Sequence, residues 1–191
     1  MNKIIMAAAV GWFVLAIDSP AQTEATNVIV QPPTTRLEAV ENTVGKVVFK
    51  GRTEVGTVSA STGSITVFFK EDTLVGDNTK EHGIVIMIKG GGQNDERALV
   101  DYDELDGLAG ALDYLSRLTW SATTMTSFDA SYTSKSGLRF DSVGNRRSGK
   151  IEFSIRNGQM PQKLILAPEQ LAQMRSLLDQ AKRKLDELRR A

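Results

Sequence analysis

The chain of 191 residues has no cysteine, which excludes a disulfide scaffold, a thiol nucleophile and a thiolate metal site. A single histidine, His82, excludes a multi-histidine metal centre within one chain. Net charge is also lacking: 23 Lys plus Arg balance 23 Asp plus Glu. A general electrostatic grip on nucleic acid or anionic lipid is therefore not expected. Aromatic residues are 6% and prolines number 5. What is present is ordinary for a folded domain: 41% apolar and 24% charged residues, in a length suited to one domain or two small ones.

The one long apolar run is at the start. Lys3 precedes Ile4–Ile17, 14 residues, whereas a membrane-spanning helix needs roughly 20. Ser19-Pro20-Ala21 then places small residues at the −3 and −1 positions of a cleavage site. Residues 1–21 read as a secretory signal peptide, with a mature chain beginning at Gln22. An uncleaved anchor would need a longer run, and a lipid-modified signal would need a cysteine. Cleavage removes Lys3 and Asp18, so the mature chain is neutral too. No Asn-x-Ser/Thr sequon occurs, which favours a bacterial periplasmic or extracellular protein. Residues 22–43 hold few large apolar groups and include Pro32 and Pro33, so they read as a flexible lead-in.

The body reads twice, over residues 44–120 and 121–191. Apolar stripes at helical spacing recur in Leu105, Leu108, Leu112, Leu115 and in Leu171, Met174, Leu178, Ala181, Leu185, Leu188. Asp101 with Glu104 predicts a capping box for the first helix. Pro168 marks the start of the second. The second stripe spans about 18 residues, roughly 27 Å. That exceeds what one unit's sheet requires, so its latter half is expected to bridge to the other copy or project.

Strands precede each helix. Period-two alternation marks Phe128–Thr133, Leu138–Asp141 and Ile151–Arg156 as antiparallel strands with one wet face, and Lys163–Ala167 completes that set. Asn157-Gly158 is a type I′ hairpin signal. In the first half, Thr53–Ala60 and Ser64–Lys70 flank a turn at Thr62-Gly63. Gly83–Lys89 is apolar without a break from Ile84 to Ile88, so it is expected to be covered on both faces. Gly90–Gly92 makes a turn into Arg97–Val100, and a separate strand is expected at Val44–Lys50. The resulting class is α+β: two tandem antiparallel four-strand-plus-helix units sharing one core, after a signal peptide. In its order of elements this resembles the Whirly-type single-stranded-DNA-binding scaffold. The resemblance implies a fold, while function has to come from a site.

No candidate site survives its simplest explanation. Asp95, Glu96, Asp101, Asp103, Glu104 and Asp106 form the densest acidic stretch. A calcium loop fails there, because Leu105, Asp106 and Leu112 occupy positions that need an oxygen ligand, glycine and glutamate. Helix capping and the macrodipole account for these acids instead. His82 reads as a solvated loop residue, and no Gly-x-Ser-x-Gly elbow exists. Gly90-Gly91-Gly92 lacks the Lys-Ser/Thr of a phosphate loop. Arg146, Arg147 and Lys150, and Lys182, Arg183, Lys184, Arg189 and Arg190, are basic clusters able to contact phosphate or an acidic polymer. Trp120, Phe128 and Tyr132 supply aromatic faces, the last two turned inward by alternation. No residue is assigned a catalytic, cofactor-binding or metal role, and no cofactor is expected. The reading is an exported, non-catalytic binding or interaction module of the bacterial envelope with an unknown protein or polymer partner. The alternatives are a carboxylate hydrolase of an envelope polymer using Asp101 or Asp103, and a single-strand nucleic-acid binder by topology alone.

Overall fold

The computed structural model describes residues 32–77, 79–90, 95–158 and 163–190. The expected signal peptide, the first part of the lead-in, and Gly91 and Gly92 lie outside the described residues. A short helix α1 (Arg36–Glu41) comes first. The strands β1 (Val48–Ala60), β2 (Gly63–Leu74), β3 (Thr79–Lys89) and β4 (Glu96–Asp101) follow, then a 3-10 turn (Tyr102–Glu104) and α2 (Leu105–Ser116). The second run is β5 (Ser127–Thr133), β6 (Leu138–Asn145), β7 (Lys150–Asn157), β8 (Leu164–Leu166) and α3 (Pro168–Arg190). Each set of four strands forms one antiparallel sheet in sequence order. The fold is α+β, four strands then a helix, twice.

One cluster of buried side chains draws on every large element. Ile65, Val67, Ile84, Ile86 and Ile88 enter it from the first sheet, and Leu138, Phe140, Phe153 and Ile155 from the second. The leucine stripes of α2 and α3 close it, and Met174, Ala181 and Leu185 are fully buried. Full burial of each large side chain contributes roughly 1.5–3 kcal/mol over exposure. The helices cross between halves: α2 lies against β5 and β6, and α3 against β1, β2 and β3. Gly56 of β1 sits under Leu177, and the Gln170 side chain donates to the Ser59 carbonyl. Asn157 Nδ2 donates to the Arg97 carbonyl at 3.0 Å, joining β7 to β4. The expectation that α3 bridges to the first half is met, while Leu188 stays 42% exposed.

Several local expectations change. The lead-in reading fails over 32–43, where α1 packs Leu37, fully buried, against Val85 and Leu99 on the outer face of the first sheet. Only Leu37 and Val40 face inward, too few apolar residues to stand out in the sequence. Leu37 supplies the second cover that the unbroken Ile84–Ile88 run required, packing on Val85 with Met87 beside it. Gly83 admits Leu37: a Cβ there would lie 2.7 Å from Leu37 Cδ1 and 2.2 Å from the Val100 carbonyl oxygen. The separate Val44–Lys50 strand is also corrected. Its latter part, from Val48, belongs to β1, which stays continuous through a bulge between Glu54 and Gly56. The first turn is Ser61-Thr62, since Gly63 already pairs with Ala60. The Asn157-Gly158 turn is corrected as well. Asn157 pairs with Leu138 as the last residue of β7, so it belongs to the strand, and residues 159–162 of the connection lie outside the described residues.

Candidate functional site

The first sheet has a notched corner. β3 pairs with β2 along its whole length, from Leu74↔Thr79 to Ser64↔Lys89. β4 pairs with β3 only from Ile88↔Glu96 to Gly83↔Asp101. Among the described residues, Thr79–His82 therefore have a partner strand on one side only. β4 stops because Asp101 turns to α1. Its carboxylate accepts from the Arg36 N–H at 2.9 Å and the Leu37 N–H at 3.2 Å, while Thr35 Oγ1 accepts from Glu38 N–H at 3.0 Å. These bonds satisfy three of the amides that a helix start leaves open. Asp101 thus caps α1 from a distance, which corrects its expected role at α2; its side chain makes no capping bond to the turn that follows it. Glu104 likewise accepts from the Lys135 N–H at 2.8 Å instead of closing a capping box.

The notch holds a cleft of about 430 Å³ between β2–β3, the Tyr102 turn, the start of α1 and the end of α3. His82 lies on its floor. The loop reading is corrected: His82 is a β3 residue opposite Glu71, its side chain 12% exposed, with Nε2 2.9 Å from Glu71 Oε2. The polar composition of 70–82 hid this strand, because the long β2–β3 hairpin carries charges on both faces. Glu71 also faces Lys80 Nζ at 3.8 Å, and Glu81 faces Arg36 Nε at 3.6 Å. Leu188 supplies an apolar wall. The guanidinium of Arg189 lies over the Tyr102 ring, 3.9 Å from its centroid, and the Tyr102 hydroxyl donates to Asp186. Among the described residues no carboxylate is within ion-pairing distance of Arg189.

The acidic stretch disperses into ties. Asp95 pairs with Lys89 at 3.3 Å, and Asp106 pairs with Lys182 at 3.2 Å. That hydrogen bond from Lys182 outweighs partial burial and raises the ammonium pKa. Asp103 meets Arg36 at 3.0 Å and Lys135 at 3.3 Å. Burial alone would raise its pKa, but the Lys135 hydrogen bond and the Arg36 charge together hold it below the usual carboxylate range. Among the described residues no group of three or more His, Asp or Glu is placed to hold a metal ion.

The basic clusters divide too. Arg146 braces the 120–125 loop, donating to the carbonyls of Thr123 at 2.6 Å, Met125 at 3.0 Å and Trp120, with its guanidinium 5.6 Å from the Trp120 ring centroid. Trp120 meets Phe128 edge to face at 5.5 Å. Arg147 and Lys150 stay at the exposed turn. On α3, Arg189 faces the notch, whereas Arg183 and Lys184 line a different cleft of about 490 Å³ beside Thr53 and Phe69. In a third, polar cleft on the outer face of the second sheet the cations already have partners: Asp141 binds Arg139 at 2.6 Å and Arg156 at 3.6 Å, and Lys163 binds Glu152 at 2.6 Å. Sequence reasoning missed Arg36, Glu71, Lys80 and Tyr102 as members of one site. They lie on four elements, and no local spacing relates them. Among the described residues no helix is long and apolar enough to cross a membrane. No family model, curated protein or solved structure matches this chain, so the notch is interpreted from its own chemistry.

Proposed function

We propose that the chain is an exported, non-catalytic binding module of the bacterial envelope, and that the notch is its ligand site. The observation that carries this reading is Arg189, its guanidinium 3.9 Å over the Tyr102 ring and, among the described residues, with no carboxylate within ion-pairing distance, at the mouth of a concave site. The other charged groups around it already have partners. A pre-positioned cation beside neutralised neighbours suits recognition of an anionic group. Lys3, Ile4–Ile17 and Ser19-Pro20-Ala21 support export.

Chemistry is less well supported. A carboxylate hydrolase needs an acid kept protonated beside its bond. Both oxygens of Asp101 accept backbone N–H groups, and Asp103 is held ionised by Lys135 and Arg36. Nucleic-acid binding would draw on basic residues that lie on different faces, Arg146 being engaged in the 120–125 loop.

A photocrosslinking amino acid placed at Leu188 in living cells tests the reading, with the same residue at Val143 as control. The expected result is a discrete envelope adduct from position 188, none from 143, and a mature protein starting at Gln22. Adducts from neither position, or intact Met1 on a cytoplasmic product, refute it.

A further inference from the structure

Resting on that reading, we infer that the ligand is an extended peptide bearing a carboxylate, which adds as a strand to the free edge of β3 at Thr79–His82 and seats its carboxylate on Arg189. The backbone carries the first half of the argument. In an antiparallel sheet the N–H and C=O groups of successive residues point alternately to the two neighbouring strands. Past Asp101 no described strand lies on the β4 side, so two of the four residues direct their groups into the notch. Four residues make an edge of roughly 13 Å at about 3.3 Å each. That length and the 430 Å³ cleft match a short extended segment.

Charge carries the second half. A guanidinium over an aromatic ring spends none of its N–H donors on the ring, and a carboxylate can accept two of them side by side. Asp186 anchors the Tyr102 beneath it. Glu71 faces His82 and Lys80, and Glu81 faces Arg36, so no carboxylate lining the cleft is left uncompensated to repel the ligand. Leu188, 42% exposed, offers an apolar contact to one face of the added strand.

The test is an amide NMR titration of the isotope-labelled exported protein. The probe is an equimolar mixture of acetylated pentapeptides of Thr, Val and Ile ending in a free carboxylate. Parallel arms use the C-amidated mixture, the mixture N-methylated at alternate amides, inorganic phosphate, and a dT oligomer. Saturable shifts are expected at residues 79–82 and at the Arg189 side chain. Amidation and Arg189→Gln should each weaken binding about tenfold, Arg189→Lys by less, and N-methylation should abolish it. Equal binding of the N-methylated mixture overturns strand addition. Tighter binding of phosphate or dT at the same residues overturns the peptide class. Silence at millimolar peptide overturns the inference, and if the Leu188 adduct persists, the binding-module reading survives without it.

Discussion

Leu178→Ala tests whether a helix from the second half seals the sheet of the first. Leu178 is 1% exposed in the shared cluster, with Met174, fully buried, one turn before it and Ala181 close behind. Ala181 has no bulk to move into the gap, and the facing β1, β2 and β3 are held by their ladders. Little collapse is available, so the loss should fall at about 3 kcal/mol or more within the 2–5 kcal/mol range of buried leucine truncations. At roughly 2–4 °C per kcal/mol for a domain of this size, Tm should drop about 6–12 °C. Leu188→Ala, on the same stripe but 42% exposed, creates no closed cavity and should cost under about 1 kcal/mol. Urea midpoints at unchanged m-value and calorimetry measure both. Hydrogen exchange supplies the decisive contrast: Leu178→Ala should speed exchange in β1–β3 before β5–β8. Equal costs for the two substitutions, or exchange raised only in β5–β8, refute the crossed arrangement.

Three further outcomes are expected. Lys70→Met should destabilise by roughly 3–5 kcal/mol, because Lys70 Nζ lies 2.9 Å from Glu41 and bonds Asp72, both buried; a urea midpoint within error of the parent's would contradict that role. Acid unfolding should depend on Glu41, where burial alone would raise the pKa but bonds from Lys70 and Arg97 lower it. Its contribution is complete above about pH 4.3 and lost as pH falls through its lower folded value. Asp72 is pushed up by burial against its bond to Lys70, so its share is present at low pH and lost as pH rises through its raised value. Glu41→Gln should flatten the fall in urea midpoint below about pH 4; a profile parallel to the parent's rules this out. Gly56→Ala should cost about 1–2 kcal/mol, since the new Cβ would lie 2.8 Å from Leu177 Cδ2. Leu177→Ala in the same chain should recover part of that loss, and strict additivity in the double-mutant cycle would deny the contact.

Much of the fold is written in short-range periodicity. Alternation across Phe128–Tyr132 and Ile151–Ile155, the stripes of α2 and α3, and the Pro168 start all depend on residues a few positions apart. The side chains themselves therefore carry those assignments. The apolar Ile84–Ile88 run announced a second cover without naming it, because Leu37 lies far away in sequence and has only Val40 beside it.

The remainder was decided by contacts between distant segments. Asp101 sits where a local cap for α2 would sit, yet it binds amides 64 and 65 residues earlier, and this is what ends β4 and opens the notch. His82 looks like a loop residue until β2 and β3 are seen to continue past the core as a paired hairpin. Arg189 appears as one of many helix-end cations, and only the packing of α3 on the first sheet brings it over Tyr102. Periodicity sets which face of an element is buried; it carries no information about which distant element does the burying. Only tertiary packing selects that partner, and the candidate site is made of such selections.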